Sequence, residues 1–474
     1  MLQSEEIIDF IEGKKFLKIA SDLTEECGVK LYIVGGFVRD FLLKRKSTEL
    51  DFVVTGDGIE FTKLLAKKLN VENIAVYKNF GTAHFKYDDY NLEFVGARKE
   101  SYSKNSRNPF VEPGTFNDDI SRRDFTINTL AVSLNRENFG QLIDTFNGII
   151  DLEEKIIRTP LNPNITFDDD PLRIMRAFRF AAQLNFIVHN DIIEAAKNLA
   201  DRLKIISQER ITDEFLKILA SKKPSVGLLY LEKADIMRVV FPEISQMTGV
   251  EQVQDFHHKD VFLHTCKVVD NVAEVSDNLW LRFSALVHDI AKPSTKKFVE
   301  GTGWTFHGHD EIGARMMKYI FRRMKLPFSK REYVEKMIRL HLRPIALVNE
   351  TVTDSAIRRL IVSADDDLDD LLILCRADIT SKNPEKVSRY LSNYDRVMAK
   401  VKEVSEKDEL RAFQSPVRGD EIMRICNLSP SKTVGLIKSD IEEAILEGKI
   451  KNTYEDAFNY LLEIKDKYIS SNNI

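Results

Sequence analysis

Residues 31–55 constrain the fold more than any other stretch. An apolar run, Leu31–Val34, meets Gly35-Gly36, a charged turn follows, and Glu49-Leu50-Asp51 opens a second apolar run. Two such runs separated by a glycine turn predict two strands, and residues two apart on a strand face the same way. Glu49 and Asp51 therefore share a face and repel each other unless a cation lies between them; oxygen donors of this kind suit magnesium. Gly35 and Gly36 allow a tight turn and close approach of backbone to a ligand, and Arg39 follows within the same turn. The combination predicts nucleotidyl transfer.

Taken in order, the first thirty residues carry apolar side chains at helical spacing (Ile7, Ile8, Ile11, Phe16, Leu17, Ile19, Ala20, Leu23) and predict one or two amphipathic helices. Residues 59–69 read as a helix, and 83–87 with 92–95 as a hairpin around Asp88-Asp89-Tyr90. That hairpin brings Glu93 toward the Glu49/Asp51 pair. Residues 96–120 are polar, with Pro109, Pro113 and Gly114, and read as a flexible loop beside a site. A helix is expected from Ser121 through Asn128 to Ala131-Val132. Its basic pair Arg122-Arg123 can meet phosphates, and Asp124 and Asn128 either contact ribose hydroxyls or form a salt bridge and a helix cap. Pro160, Pro163 and Pro171 punctuate the chain before a helix that carries Arg173, Arg176 and Arg179 as a stripe. Asp170 and Arg173, three apart, either present donors and acceptors to the edge of a base or pair with each other. From there to about residue 249 the pattern stays helical.

Seven of the nine histidines fall between residues 257 and 341. His288-Asp289 sits in an apolar helix, where it is costly to bury unpaired, so a divalent ion held by His264, His288, Asp289 and Asp378 is expected. His309 and His341 are candidates for a second ion or an incoming phosphate. His257, His258 and His307 read as ordinary surface or hydrogen-bonding residues. Beyond residue 378, helices are expected from about 418, through 434–446, and once more after 449.

At 474 residues the chain exceeds one comfortable core. Its net charge of −5 counts against a protein coated in nucleic acid, while Lys44-Arg45-Lys46, Arg122-Arg123 and the arginine stripe can hold a short RNA element. Four dispersed cysteines indicate a reducing cytoplasm, and no stretch reads as a leader or membrane span.

Two signatures carry a resemblance. GGFVRD at 35–40 with Glu-Leu-Asp at 49–51, RRDFTIN at 122–128, DDPLR at 169–173 and SQERITDE at 207–214 resemble the bacterial class II tRNA nucleotidyltransferase and poly(A) polymerase family. The histidine-rich half resembles the HD superfamily of metal-dependent phosphohydrolases. The resemblance implies an α+β chain: a small mixed-sheet nucleotidyltransferase head (1–150), an all-helical neck that selects the base and binds RNA (151–248), a helical HD domain (249–395) and a helical tail (396–474). It implies transfer of CMP and AMP from CTP and ATP to a tRNA 3′ end with magnesium, with no DNA or membrane partner. A-only addition, poly(A) tailing, or a chain that is chiefly a phosphohydrolase remain alternatives. Glu49 and Asp51 would hold the ions, Glu93 would place the RNA 3′-hydroxyl, and Gly35, Gly36 and Arg39 would cradle the triphosphate. Arg122, Asp124 and Asn128 would meet phosphate and ribose, and Asp170, Arg173 and Arg176 the base. In the HD half, His264, His288, Asp289 and Asp378 fall on the family's ligand pattern. The chain departs from the family at Glu49, where aspartate is usual, at Asp169, where glutamate is, and at Asn147, where glycine is.

Overall fold

The structure is a computed structural model that describes residues 2–78, 81–103, 106–254, 257–301, 303–347, 353–380, 383–408 and 415–469. The chain divides into two compact units, Met1–Ser245 and Gln246–Ile474.

The first unit is built on a seven-stranded sheet in the order β3-β4-β5-β2-β1-β8-β9. Its strands are β1 (Leu31–Val34), β2 (Glu49–Val54), β3 (Ala75–Tyr77), β4 (Thr82–Tyr87), β5 (Tyr90–Gly96), β8 (Ala131–Ser133) and β9 (Leu142–Ile143). All neighbours are antiparallel except β2 and β5, which run parallel because the helix Gly58–Lys68 and the β3–β4 segment return the chain between them. Alternation along β2 and β5 decides the faces: Leu50, Phe52, Leu92 and Phe94 are buried, with the Phe52 and Phe94 rings stacked at 4.4 Å, while Glu49, Asp51 and Glu93 point to the exposed side. The helices Leu2–Glu12 and Lys15–Cys27 precede the sheet, as their apolar spacing predicts.

Two expectations fail in this unit. Residues 96–120 form no simple loop: β6 (Arg98–Ser103) and β7 (Ser106–Pro113) pair as a separate ribbon, with 104 and 105 outside the described residues. Its polar composition hid the ladder, and a two-stranded ribbon tolerates the prolines of β7. Nor is 121–132 one helix. A helix ends at Ser121, a single 3₁₀ turn spans Thr126–Asn128, and Ala131-Val132 enter the sheet as β8 beside β1. The apolar run at 130–134 fits either period, and burial against β1 decides it.

After Asn147-Gly148 the unit is helical but for a two-residue parallel pairing of β10 (Ile156–Ile157) with β11 (Ile187–Val188). Asn147 adopts the left-handed conformation at φ 58°, which asparagine tolerates, so the missing glycine costs little there. Gly148 cannot be replaced as readily, since an added Cβ would lie 2.4 Å from the Thr126 carbonyl oxygen.

The second unit is mostly helical. Two ribbons interrupt it, β12 (Glu251–Gln254) with β13 (His257–Asp260) and β14 (Lys297–Val299) with β15 (Gly303–Thr305). The side chains of His257 and His258 lie outside the described residues. The helices Val261–Val275, Leu279–Val287, His309–Arg323, Arg331–Leu340 and Leu368–Asp378 surround the histidine region. Toward the end, Gly419–Cys426, Lys432–Leu446 and Tyr454–Ile469 close on their own apolar cluster around Ile422, Ile437, Ile441 and Leu461. Arg359 pairs with Glu443, tying that cluster to the helix Asp354–Ala364. Among the described residues no helix is long and apolar enough to cross a membrane.

Candidate functional site

In the first unit, the register sets the acids. Asp51 and Glu93 are direct partners across β2 and β5, and Glu49 lies two residues earlier on the same face, opposite Asn91. The Asn91 amide donates to Glu49 Oε1 at 2.6 Å, which holds the longer side chain in place and leaves its other oxygen for a ligand. Solvent reaches Asp51, yet the protein around it is dense enough that desolvation is the main cause of a pKa raised to about 6; the charges of Glu93 and Glu49 add to this and Arg123 opposes it. A cluster that disfavours its own ionisation is one that a cation would relieve, so the acids fit magnesium by donor type. They do not close on one point by themselves. Among the described residues, three donors within 4.8 Å of one another occur only in the histidine region, which suits an ion whose shell is completed by substrate phosphates.

Gly35 turns at φ 75°, and an added Cβ would meet Arg123 Nη1 at 2.8 Å with Asp51 Oδ2 3.8 Å away. The glycine pair thus opens space for a guanidinium beside the acids. Of the basic pair expected to meet phosphates, both arginines bond to buried Asp119, Arg122 Nη2 to Oδ1 at 2.6 Å and Arg123 Nη2 to Oδ2 at 3.2 Å, and Arg123 also lies near Asp51.

Arg39 is engaged on all sides. It donates to both oxygens of Asp40, at 2.9 and 2.8 Å, and to Asn128 Oδ1 at 2.8 Å. The Asn128 amide donates to Asp124 Oδ1 at 2.9 Å, and Arg176 Nη2 meets Asp124 Oδ2 at 2.6 Å. Asp124 and Asn128 are thus brought together by a hydrogen bond inside a tight turn, not by a helical face. Arg39, Arg176 and Arg179 all lie against the Phe180 ring, and Arg179 pairs with buried Glu214.

Burial alone would push Asp124 up, but the charge of Arg176, the Asn128 bond and the charge of Arg173 hold it down at about 2. A carboxylate depressed on folding contributes stability that is complete above its unfolded value near 4 and fades as pH falls toward 2. We expect about 2 kcal/mol from this group, seen as an acid-side loss of stability in wild type that is missing in Asp124→Asn.

Asp170 and Arg173 flank the start of the helix Leu172–Leu184. Asp170 Oδ1 accepts from the Leu172 backbone at 3.1 Å, and Arg173 Nη1 donates to the Thr166 carbonyl at 3.4 Å. No ion pair joins the two side chains among the described residues.

In the second unit, the histidine cluster has a repeated construction. The Nδ1 atoms of His288, His309 and His341 each meet the carbonyl oxygen three residues earlier, of Ala285, Phe306 and Ile338, at 2.8, 2.8 and 2.6 Å. His264 Nδ1 meets Thr380 Oγ1 at 2.8 Å. With Nδ1 donating, each Nε2 turns a lone pair inward, the tautomer a metal ligand needs. Two donor groups result, His264 with His288 and Asp378, and Asp289 with His309 and His341. Asp289 lies between them: Oδ2 is 3.2 Å from His288 Nε2 and 2.7 Å from Lys292 Nζ, and Oδ1 is 3.4 Å from His309 Nε2. The Nε2 atoms of His288, His309 and His341 and Oδ1 of Asp289 are buried without a hydrogen-bond partner, so the residues present fit metal. Against burial, Asp289 and Asp378 draw His288 up to about 10, a measure of how strongly these carboxylates favour a positive charge. Burial and the His288 charge push His341 down to about 4. His307 is exposed, as expected, and Lys292, bonded to Asp289, is the cluster residue that sequence reading missed.

Three family domains match in this order: the Poly A polymerase head domain over 31–158, the probable RNA and SrmB-binding site of polymerase A over 185–247, and the HD domain over 261–382. Over 396 residues the chain is 31% identical to the Multifunctional CCA protein of Legionella pneumophila (strain Paris), covering 80% of this chain and 91% of that protein. The chain belongs to the tRNA nucleotidyltransferase and poly(A) polymerase family. Within it, the A-adding tRNA nucleotidyltransferase of Aquifex aeolicus is 44% identical over 202 residues, 40% of this chain and 24% of that protein. A tRNA nucleotidyltransferase solved with a primer tRNA and an incoming ATP analog shares 27% identity and a TM-score of 0.57, covering 80% of this chain and 99% of that one. The α+β architecture and the HD domain are thus those of the family.

Proposed function

We propose that the chain adds CMP and AMP, from CTP and ATP, to the 3′ end of tRNA and so builds the terminal CCA. The observation that carries this reading is that the side chains of Asp170 and Arg173, three residues apart at a helix start, form no ion pair with each other among the described residues, although the Arg173 backbone N–H donates to the Asp170 carbonyl at 3.0 Å. The plain alternative, an intrahelical salt bridge, required that ion pair. One side chain offers acceptors and the other donors, together the complement of a base edge.

In this reading Glu49 and Asp51 hold magnesium, which when bound supplies Lewis-acid stabilisation of charge on the phosphates. Glu93 orients the RNA 3′-hydroxyl; its oxygen bonds to the α-phosphorus as its proton passes to solvent, and the bond from the α-phosphorus to the bridging oxygen breaks so that pyrophosphate leaves. Arg123, above the Gly35 turn, faces the phosphates. Arg39, Asn128, Asp124 and Arg176 form one bonded chain that presents the ribose-facing groups and stiffens the path from the glycine turn to the base-selecting helix.

Incorporation of CTP and ATP into tRNA lacking its CCA tests the proposal. Arg173→Ala should lose discrimination between the two bases, by about tenfold or more, since a paired base contact is worth roughly 1–3 kcal/mol, while total incorporation falls less. Unchanged selectivity in Arg173→Ala would assign base choice elsewhere.

A second activity is favoured by the unpartnered Nε2 atoms of the HD cluster. We propose that it is a phosphohydrolase centre whose ions are held by His264, His288 and Asp378 on one side and by His309 and His341 on the other, with Asp289 shared; bound metal would activate water and polarise a phosphoryl group.

A further inference from the structure

Between Asp289 and His309 the chain leaves the HD cluster and returns to it through the β14–β15 hairpin. Both feet are tied to the cluster. Lys292 Nζ is bonded to Asp289 and lies 5.7 Å over the Phe306 ring, and the Phe306 carbonyl accepts from His309 Nδ1. The outer face of the hairpin is aromatic and in water: Phe298 is 65% exposed and Trp304 40%. They are direct cross-strand partners, with ring centroids 5.3 Å apart and planes at 75°. A cross-strand aromatic pair steadies a two-stranded ribbon, but that role is served by rings turned toward protein as well as by rings left in solvent. Lys296, two residues before Phe298, lies with Nζ 4.5 Å over Trp304 and forms no ion pair among the described residues. Exposed rings beside a cation that forms no ion pair match unpaired bases joined by phosphates, whereas a duplex hides its base faces.

We propose that the β14–β15 hairpin is a stacking platform for the unpaired end of an RNA strand, with Phe298 and Trp304 taking bases and Lys296 a backbone phosphate. The hairpin then delivers the strand's terminal phosphate to the HD cluster. Only this delivery step rests on the phosphohydrolase reading; the binding does not.

Trp304 reports on its own platform. The chain has two tryptophans, so full-length Trp280→Phe leaves Trp304 as the only one. Titration with a short unpaired oligoribonucleotide should quench its emission. Adding Phe298→Ala should weaken the apparent affinity about tenfold, the usual scale for one stacked base. A fully paired duplex should leave emission unchanged. Emission that stays constant while the same RNA is retained by the protein on a filter would overturn the proposal. An equal response to the deoxyribo-oligonucleotide would overturn the assignment to RNA, and quenching that follows protein concentration without RNA, with dimers in sedimentation, would assign the face to self-association. For delivery, Phe298→Ala should lower kcat/KM for an oligonucleotide with a 2′,3′-cyclic phosphate end about tenfold relative to that for bis-p-nitrophenyl phosphate. If wild type hydrolyses neither compound, the phosphohydrolase reading fails, and the fluorescence result still decides the platform.

Discussion

Asp51→Ala should abolish nucleotide incorporation, by about a thousandfold or more, without lowering the melting temperature. The catalytic part follows from position: Asp51 stands between Glu49 and Glu93 on the exposed face of adjacent strands, and charge stabilisation by a metal held there is worth several kcal/mol in the transition state. The stability part follows from sign. A carboxylate whose folded pKa, about 6, lies above its unfolded value opposes folding once pH exceeds that unfolded value, so its removal at neutral pH relieves repulsion. The neighbouring core residues Leu50 and Phe52 face the other way and are untouched. A Tm that falls together with activity would mean that Asp51 supports the fold and not the reaction. Steady-state incorporation and a thermal melt on the same preparation separate the two.

Asp289→Ala should empty the HD cluster of metal and end any phosphohydrolase activity while leaving incorporation intact. Among the described residues, Asp289 is the one carboxylate within 4 Å of all four histidines, so on the shared-ligand reading its loss removes a ligand from each group. It also removes the buried carboxylate bonded to half-buried Lys292, which costs stability. For that reason Asp289→Asn is the companion variant: it keeps the volume and a carbonyl oxygen, and elemental analysis should show it too depleted of metal. Full metal content in both variants would contradict a shared ligand. Loss of incorporation in a folded Asp289→Asn would contradict two independent centres.

The central elements of the head were legible because short-range pattern and long-range packing agree there. Apolar runs around Gly35-Gly36 and Glu49-Leu50-Asp51 became paired strands, and the hairpin at Asp88-Asp89 delivered Glu93 to Asp51. The segment from 121 to 133 was misread because its apolar residues fit both periods, and only the presence of β1 alongside makes it a strand. The ribbon of β6 and β7 was missed because polar strands carry no alternation to read. At the site, residue types were easier to identify than their partners. Arg122 and Arg123 are adjacent and both pair with Asp119, yet only Arg123 also reaches the Gly35 turn beside the acids. The sequence offered Asp124 and Asn128 as a pair, and a hydrogen bond joins them across a turn whose 3₁₀ part is Thr126–Asn128, not along a helix. In the HD half, the ligand pattern named His264, His288, Asp289 and Asp378, whereas the closure of His309 and His341 on Asp289 depends on how separate helices meet.

The Glu49 departure also has a local answer. Its extra methylene is steadied by Asn91, the residue facing it across β2 and β5, so the carboxylate stays on the exposed face beside Asp51.

The most direct test of CCA addition is the sequence of the product. Purified protein is given tRNA ending before its CCA, with CTP and ATP together, and the extended 3′ ends are sequenced. The account predicts C, C and A in that order, and then arrest. A single A added only to tRNA already ending in CC, a long A tail, or no extension at all would contradict it.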